Sequence, residues 1–201
     1  ILDGVRVEGI CVLADAVNIR RLSRDEYIGD TIERQLSDAD IIVVTKADLA
    51  EKLDLDELEG WLAQSWPSAS IITAARGDVP NDVLLGPVGA GRTRVPSPHA
   101  DAMYDSVTLN LDGPYDAAML AQKLTDPALG LLRAKGHVDD MSGRRARIQL
   151  VGQRAESSFP ENAGALGLVC IGLKARLDRQ AIDKAIAECR PNLAWSRQTS
   201  G

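Results

Sequence analysis

Apolar positions along this chain keep two different rhythms, and the change falls at a Pro- and Gly-rich stretch near the middle. From Val5 to Ala14 they alternate at first and then become continuous. A strand does this when it enters the middle of a sheet covered on both faces, so the pattern predicts a strand ending at Asp15. Ser23 and Glu26 have the spacing of a capping box, and Ile28, Ile32 and Leu36 recur behind them at every fourth position. That predicts an amphipathic helix ending near Ser37. Ile41-Ile42-Val43-Val44 reads as a second buried strand closing on Thr45-Lys46-Ala47-Asp48. Leu55, Leu58 and Leu62, with Pro67 beyond them, predict a further helix. Ser70 to Ala74 predicts a third strand, and Pro80 to Leu85 a short helix. Strands alternating with helices imply parallel βα units, so this half is α/β.

Gly86 to Pro98 (GPVGAGRTRVPSP) is rich in breakers and poor in bulk, the composition of a linker. Beyond it, Val107, Leu109 and Leu111 alternate with Thr108 and Asn110. The turn Asp112-Gly113-Pro114 leads to a helix carrying Ala118, Leu120, Ala121 and Leu124. Leu131–Val138, Arg147–Val151 and Leu168–Leu173 read as strands, and Asp178 caps a last helix with Ile182, Ile186 and Cys189 on one face. Consecutive strands flanked by helices predict a small α+β domain with one sheet face covered. The expected division is 1–85 for the α/β part, 86–98 for the linker, 99–193 for the α+β domain and 194–201 for a tail.

Composition changes this picture little. Hydrophobic residues make up 45% and charged residues 26%, the usage of an ordinary globular protein, and a 3% aromatic share leaves the core to Leu, Ile, Val and Ala. A formal charge of −6 argues against a general nucleic-acid or anionic-membrane binder. No apolar run approaches a bilayer-spanning length. Cys11, Cys170 and Cys189 stand far apart without a CxxC or Cys/His pairing, which fits a reducing, cytoplasmic setting with each thiol acting as a small apolar residue. The opening Ile1-Leu2-Asp3-Gly4 has no Met and no signal-peptide pattern, and reads as a cut.

Candidate chemistry lies at Thr45-Lys46-Ala47-Asp48, which matches [N/T]-K-x-D. A carboxylate at the fourth position accepts hydrogen bonds from N1–H and the 2-amino group of guanine. Adenine offers neither donor and leaves the acid unpaired, which is penalised. The lysine lays its methylene stem along the base and sends its ammonium toward the phosphates. Thr45 would tie this loop to its neighbour. The motif begins where a buried strand ends, the place where open α/β sheets bind ligands. The competing reading makes Lys46 and Asp48 solvated charges of an ordinary strand-to-helix loop.

Asp15-Ala16-Val17-Asn18, then Glu33-Arg34-Gln35, then Ala39 through Leu49 resemble the CobW family, relatives of the HypB and UreG metal-insertion GTPases. The resemblance continues in Leu132-Arg133-Ala134-Lys135-Gly136, similar to the family's R-x-K-G strand, and in Val169-Cys170-Ile171-Gly172 with Leu177-Asp178. It implies a partial parallel-sheet P-loop GTPase domain followed by a CobW-type α+β domain. It also implies GTP and magnesium in an intact parent that handles zinc or cobalt as a chaperone or insertase, with cobalamin biosynthesis as one setting. Thr45, Lys46 and Asp48 carry over as base-contacting residues. Thr73 and Ala74 sit where the family's next loop backs the base with main-chain N–H groups. Asp15 reads either as a residue supporting the site near the switch region or as a helix N-terminal acid.

The sequence contains no G-x-x-x-x-G-K-[ST], no C-x-C-C and no His-rich tail. The missing parts are expected upstream of Ile1, so this chain alone is expected to bind neither GTP tightly nor magnesium, to hold no metal, and to contribute no catalytic residue. His99 and His137 each stand alone. Arg144, Arg145 and Arg147, with Arg133 and Lys135, form either a basic patch for an acidic partner or a charged face guarding an edge strand. Two functions follow: the C-terminal portion of a GTP-dependent metal chaperone, or a non-enzymatic module whose second domain recognises a client metalloprotein or partner subunit. Self-association through an open sheet edge is a further expectation.

Overall fold

A computed structural model describes residues 7–86 and 103–191. The chain divides into two compact units, Ile1–Pro80 with Val151–Gln153, and Asn81–Leu150 with Arg154–Gly201. Within the first, the order is β1 (Cys11–Asp15), α1 (Ile19–Leu22), α2 (Gly29–Ser37), β2 (Ile41–Thr45), a 3₁₀ turn (Ala47–Leu49), α3 (Lys52–Ser65) and β3 (Ser70–Thr73). The strands lie side by side as β1-β2-β3, all parallel, with Asp15 opposite Thr45 and Val44 opposite Thr73. Each strand therefore reaches the same end of the sheet at the same level.

Leu36 of α2 and Leu58 and Leu62 of α3 are buried with Ala14, Ile42 and Val44, which places both helices on one face. Each such leucine, fully buried, contributes about 1.5–3 kcal/mol. The predicted pattern departs from the structure in two places. Ser23 and Glu26 form no capping box, because the Ser23 hydroxyl donates to the Arg20 carbonyl at 3.0 Å. The chain is turned instead by Asp25, whose Oδ1 accepts from the amides of Tyr27 (3.0 Å) and Ile28 (3.3 Å). It folds so tightly that a Cβ on Gly29 would stand 2.8 Å from the Ser23 carbonyl oxygen. The first strand is also shorter and more open than expected. Its ladder begins at Cys11, and Leu13 is 66% exposed. Among the described residues β1 pairs only with β2.

The second unit contains α4 (Asn81–Leu85), β4 (Tyr104–Leu109), β5 (Pro114–Tyr115), α5 (Ala117–Leu124), a 3₁₀ turn (Pro127–Leu129), β6 (Leu131–Asp140), β7 (Arg145–Val151), β8 (Arg154–Ser158), β9 (Gly167–Leu173) and α6 (Arg179–Ala187). Its six-stranded sheet runs β4-β9-β6-β7-β8, with β5 parallel to β6. The β9 strand is antiparallel to both β4 and β6. Leu120 and Leu124 of α5 and Ile182 and Ile186 of α6 are buried with Val138, Ile148, Leu150, Leu168 and Cys170. Asp178 caps α6 as its sequence position predicts, its carboxylate accepting from the Ala181 amide at 3.0 Å. β8 (RAESS) was not anticipated, because a polar edge strand carries no apolar alternation. The Gly86–Pro98 linker and the 194–201 tail lie, Gly86 apart, outside the described residues.

Candidate nucleotide site

The carboxyl ends of β1, β2 and β3 bring together the residues that the sequence singled out. Thr45 ends β2, and its hydroxyl donates across to the Ala14 carbonyl at 3.3 Å. The Thr45 carbonyl in turn accepts from the Ala16 amide at 2.9 Å. Thr45 thus ties the loop to its neighbour, as its side chain suggests. Lys46 then takes a left-handed backbone (φ 57), a state that costs a non-glycine residue about 1–2 kcal/mol. This kink reverses the chain and starts the 3₁₀ turn that carries Asp48.

Lys46 Nζ lies 2.6 Å from Asp15 Oδ2. Asp15 also accepts from the Val17 amide at 2.9 Å and from Asn18 Nδ2 at 3.1 Å. The hydrogen bond from Lys46 holds the Asp15 carboxyl down at about 2; burial opposes this, and the Asn18 and Val17 hydrogen bonds add to it. Asp15 is thus an ionised partner of the motif lysine at every working pH. The Val17 and Asn18 bonds turn the chain toward α1, which begins at Ile19 with no acid in its first turn.

Asp48 is oriented from the loop after β3. Its Oδ1 accepts from the Arg76 amide at 3.2 Å, and Arg76 Nε stands 3.8 Å from Oδ2. About a third of the Asp48 side chain is exposed (32%), so the carboxylate is both held and reachable. Arg76 is itself left-handed, with φ 53. Thr73 and Ala74 lie at this end of the sheet but do other work. The Thr73 hydroxyl donates to Glu59 Oε1 of α3. The Ala74 amide donates to the Val44 carbonyl at 2.8 Å, and the Ala74 carbonyl accepts from the Ala47 amide at 3.4 Å. Ala74 therefore braces the Asp48 turn, and its N–H is committed to the sheet rather than free to face a base. Sequence reasoning missed Arg76 altogether. The only local signal is Gly77 after it, which marks a turn.

Among the described residues no group of three or more His, Cys, Asp or Glu side chains converges where a metal ion could sit. Cys170 is buried and its thiol is pushed up to about 12 by desolvation. Cys189 is buried too, its Sγ donating to the Ala185 carbonyl. These residues do not fit a resident zinc or cobalt ion. His99 lies outside the described residues. In the second unit Arg145 pairs with Asp139 (3.0 Å) and Arg144 lies 4.3 Å over the Phe159 ring. His137 is pushed below its ordinary value by burial first and then by Arg147, Arg145 and Lys135. The arginine cluster is thus partly neutralised, with a positive field left around His137.

Residues 1–73 match the family model of the CobW/HypB/UreG nucleotide-binding domain, and residues 104–190 match that of the cobalamin synthesis protein cobW C-terminal domain. The chain belongs to the CobW family. The two matches fall one in each structural unit, on the α/β sheet and on the α+β sheet. CobW proteins are a nucleotide-binding family connected with metal handling, and Thr45, Lys46 and Asp48 lie within the matched nucleotide-binding part. Two solved structures are similar to the chain: zinc(II)-bound YjiA GTPase from E. coli, and a zinc-bound triple mutant of YjiA. Each is 22% identical, covering 94% of this chain and 63% of the other, with a TM-score of 0.36. The chain thus spans under two thirds of the length of these structures. No curated protein sequence matches it. Among the described residues no helix is long and apolar enough to cross a membrane.

Proposed function

We propose that this chain is the base-reading and C-terminal portion of a GTP-dependent metal chaperone or insertase, with zinc or cobalt as cargo. Asp48 accepts N1–H and the 2-amino group of guanine, and the Lys46 stem lies against the base face. The observation that carries this reading is the Asp48 carboxylate. It is fixed by the Arg76 amide at the carboxyl end of a parallel sheet, yet stays open to solvent. Two oxygens on one held acid match the adjacent N1–H and 2-amino donors of guanine, a pair that adenine lacks. GTP is the substrate of the parent activity; what this chain's residues do is select the base. The binding is weak, since phosphate and magnesium contacts supply much of the affinity in this chemistry. The test is NMR titration of the chain with GDP and with ADP. Saturable shifts at residues 45–48 and 76 with GDP alone, lost in Asp48→Ala, support the reading; equal shifts with both nucleotides refute it.

A second role belongs to the α+β unit, as the surface that recognises a client metalloprotein or partner subunit. The positive field that Arg147, Arg145 and Lys135 impose on His137 favours an acidic partner. Capture of a client by wild type but not by Arg147→Glu tests it. Leu13 is exposed on β1, which pairs only with β2 among the described residues, and this supports self-association.

A further inference from the structure

We propose that Asp15 is a positioning residue for guanine recognition, holding the Lys46 side chain across the ends of β1 and β2 as the platform on which the base lies. The inference rests on the reading of Thr45–Asp48 as the base-selecting turn, and names the residue that organises it. Asp15 and Thr45 are opposite one another at the ends of neighbouring parallel strands. Beyond the ladder, the Ala16 amide to Thr45 carbonyl bond (2.9 Å) and the Thr45 hydroxyl to Ala14 carbonyl bond (3.3 Å) lock these two ends together.

The left-handed turn at Lys46 then sends its long side chain back over the strand pair, where the ammonium meets Asp15 Oδ2 at 2.6 Å. Asp15 is not a loose acceptor. The Val17 amide holds Oδ1 at 2.9 Å, and Asn18 Nδ2 shares Oδ2 at 3.1 Å. The lysine is therefore tethered at both ends, by a constrained backbone and by a carboxylate that two further donors fix. Its apolar methylenes lie between the tethers, while the Ala47–Leu49 turn sets Asp48 two residues further on. A stem fixed in advance loses little rotamer freedom when a planar base settles on it, and this is how preorganisation improves affinity. Asp15 is ionised at working pH, and the Lys46 bond lowers its carboxyl further, to about 2. If Asp15 served only to turn the chain toward α1, the Val17 and Asn18 bonds would matter and Lys46 would not.

A double-mutant cycle in the full chain separates the two cases, read by NMR titration with GDP and with ADP as control. Asp15→Asn keeps an acceptor for the Val17 amide but removes the charge. Lys46→Met keeps the stem but removes the ammonium. Asp15→Asn should weaken GDP binding about three- to fivefold, the upper part of what a solvent-screened ion pair contributes. It should have no effect in the Lys46→Met background. An equal loss in both backgrounds, or none in either, overturns the proposal while leaving base reading intact. If wild type shows no saturable shift specific to GDP, the base-reading assignment falls and takes the proposal with it. A carboxyl ¹³C titration tests the tether without nucleotide: the Asp15 midpoint should rise toward the ordinary aspartate range in Lys46→Met, and an unmoved midpoint overturns the tether.

Discussion

Gly136 sits in β6 where β6 and β9 are antiparallel, directly opposite Leu168. A Cβ built there would fall inside the van der Waals envelope of the Gly167 carbonyl oxygen and stand 2.7 Å from Leu168 Cα. Both obstacles are backbone, so no side chain can swing aside. Gly136→Ala must push β9 away from β6 and stretch the ladder between them. Each ladder hydrogen bond is worth about 0.5–1.5 kcal/mol net, and a buried group left unpaired costs about 1–3 kcal/mol. Two disturbed bonds, with loosened packing of the neighbouring Val138 and Cys170, put the cost at about 3–5 kcal/mol. An offset of roughly 0.5–1 kcal/mol comes from replacing glycine in a strand. The net loss should lower the melting temperature of this unit by about 10 °C or more. Scanning calorimetry gives the melting temperature. Amide hydrogen exchange at Val169 and Ile171 then localises the damage, because both residues pair across this seam. A loss below about 1 kcal/mol, or protection unchanged at those amides, would refute the steric reasoning. The same close approach explains physically why the R-x-K-G segment needs its glycine.

Asp178→Ala removes the acceptor for the Ala181 amide at the start of α6 and should cost about 1 kcal/mol, measured by urea unfolding. His137 has a folded value below its ordinary 6.5, so the unfolded chain binds the extra proton first and stability falls as pH drops from about 6.5 through the folded value. His137→Gln should flatten that part of the stability–pH curve, and an unchanged slope would count against the lowering of His137 by burial and by Arg147, Arg145 and Lys135. Leu13→Lys places a charge on the exposed apolar position of β1 and should lower any self-association seen by sedimentation velocity, leaving the α+β unit's melting unchanged.

Much of this protein was legible in its sequence because period and capping are local. The continuous run Ile41–Val44, the fourfold spacing of Leu58 and Leu62, and the Asp178 cap each follow from neighbours within a few residues, and all three appear in the structure. The motif Thr45–Asp48 was legible for the same reason: a strand end followed by a charged turn is a local statement. What surrounds the motif was not. Arg76 is 28 residues from the Asp48 it orients, and Asp15 is 31 from Lys46. No spacing rule joins residues on different strands; only the parallel register, which sets Asp15 level with Thr45 and Val44 level with Thr73, brings them to one place. The failed capping box at Ser23 has a different, local origin. The motif offered a cap, and the chain turned on Asp25 instead, because Gly29 lets the backbone close against the Ser23 carbonyl. The sequence alone determined most of the strands and helices and placed the Thr45–Asp48 motif at a strand end. Tertiary structure decided which distant carboxylate, amide and guanidinium hold that turn in shape, because those contacts exist only once the strands are aligned.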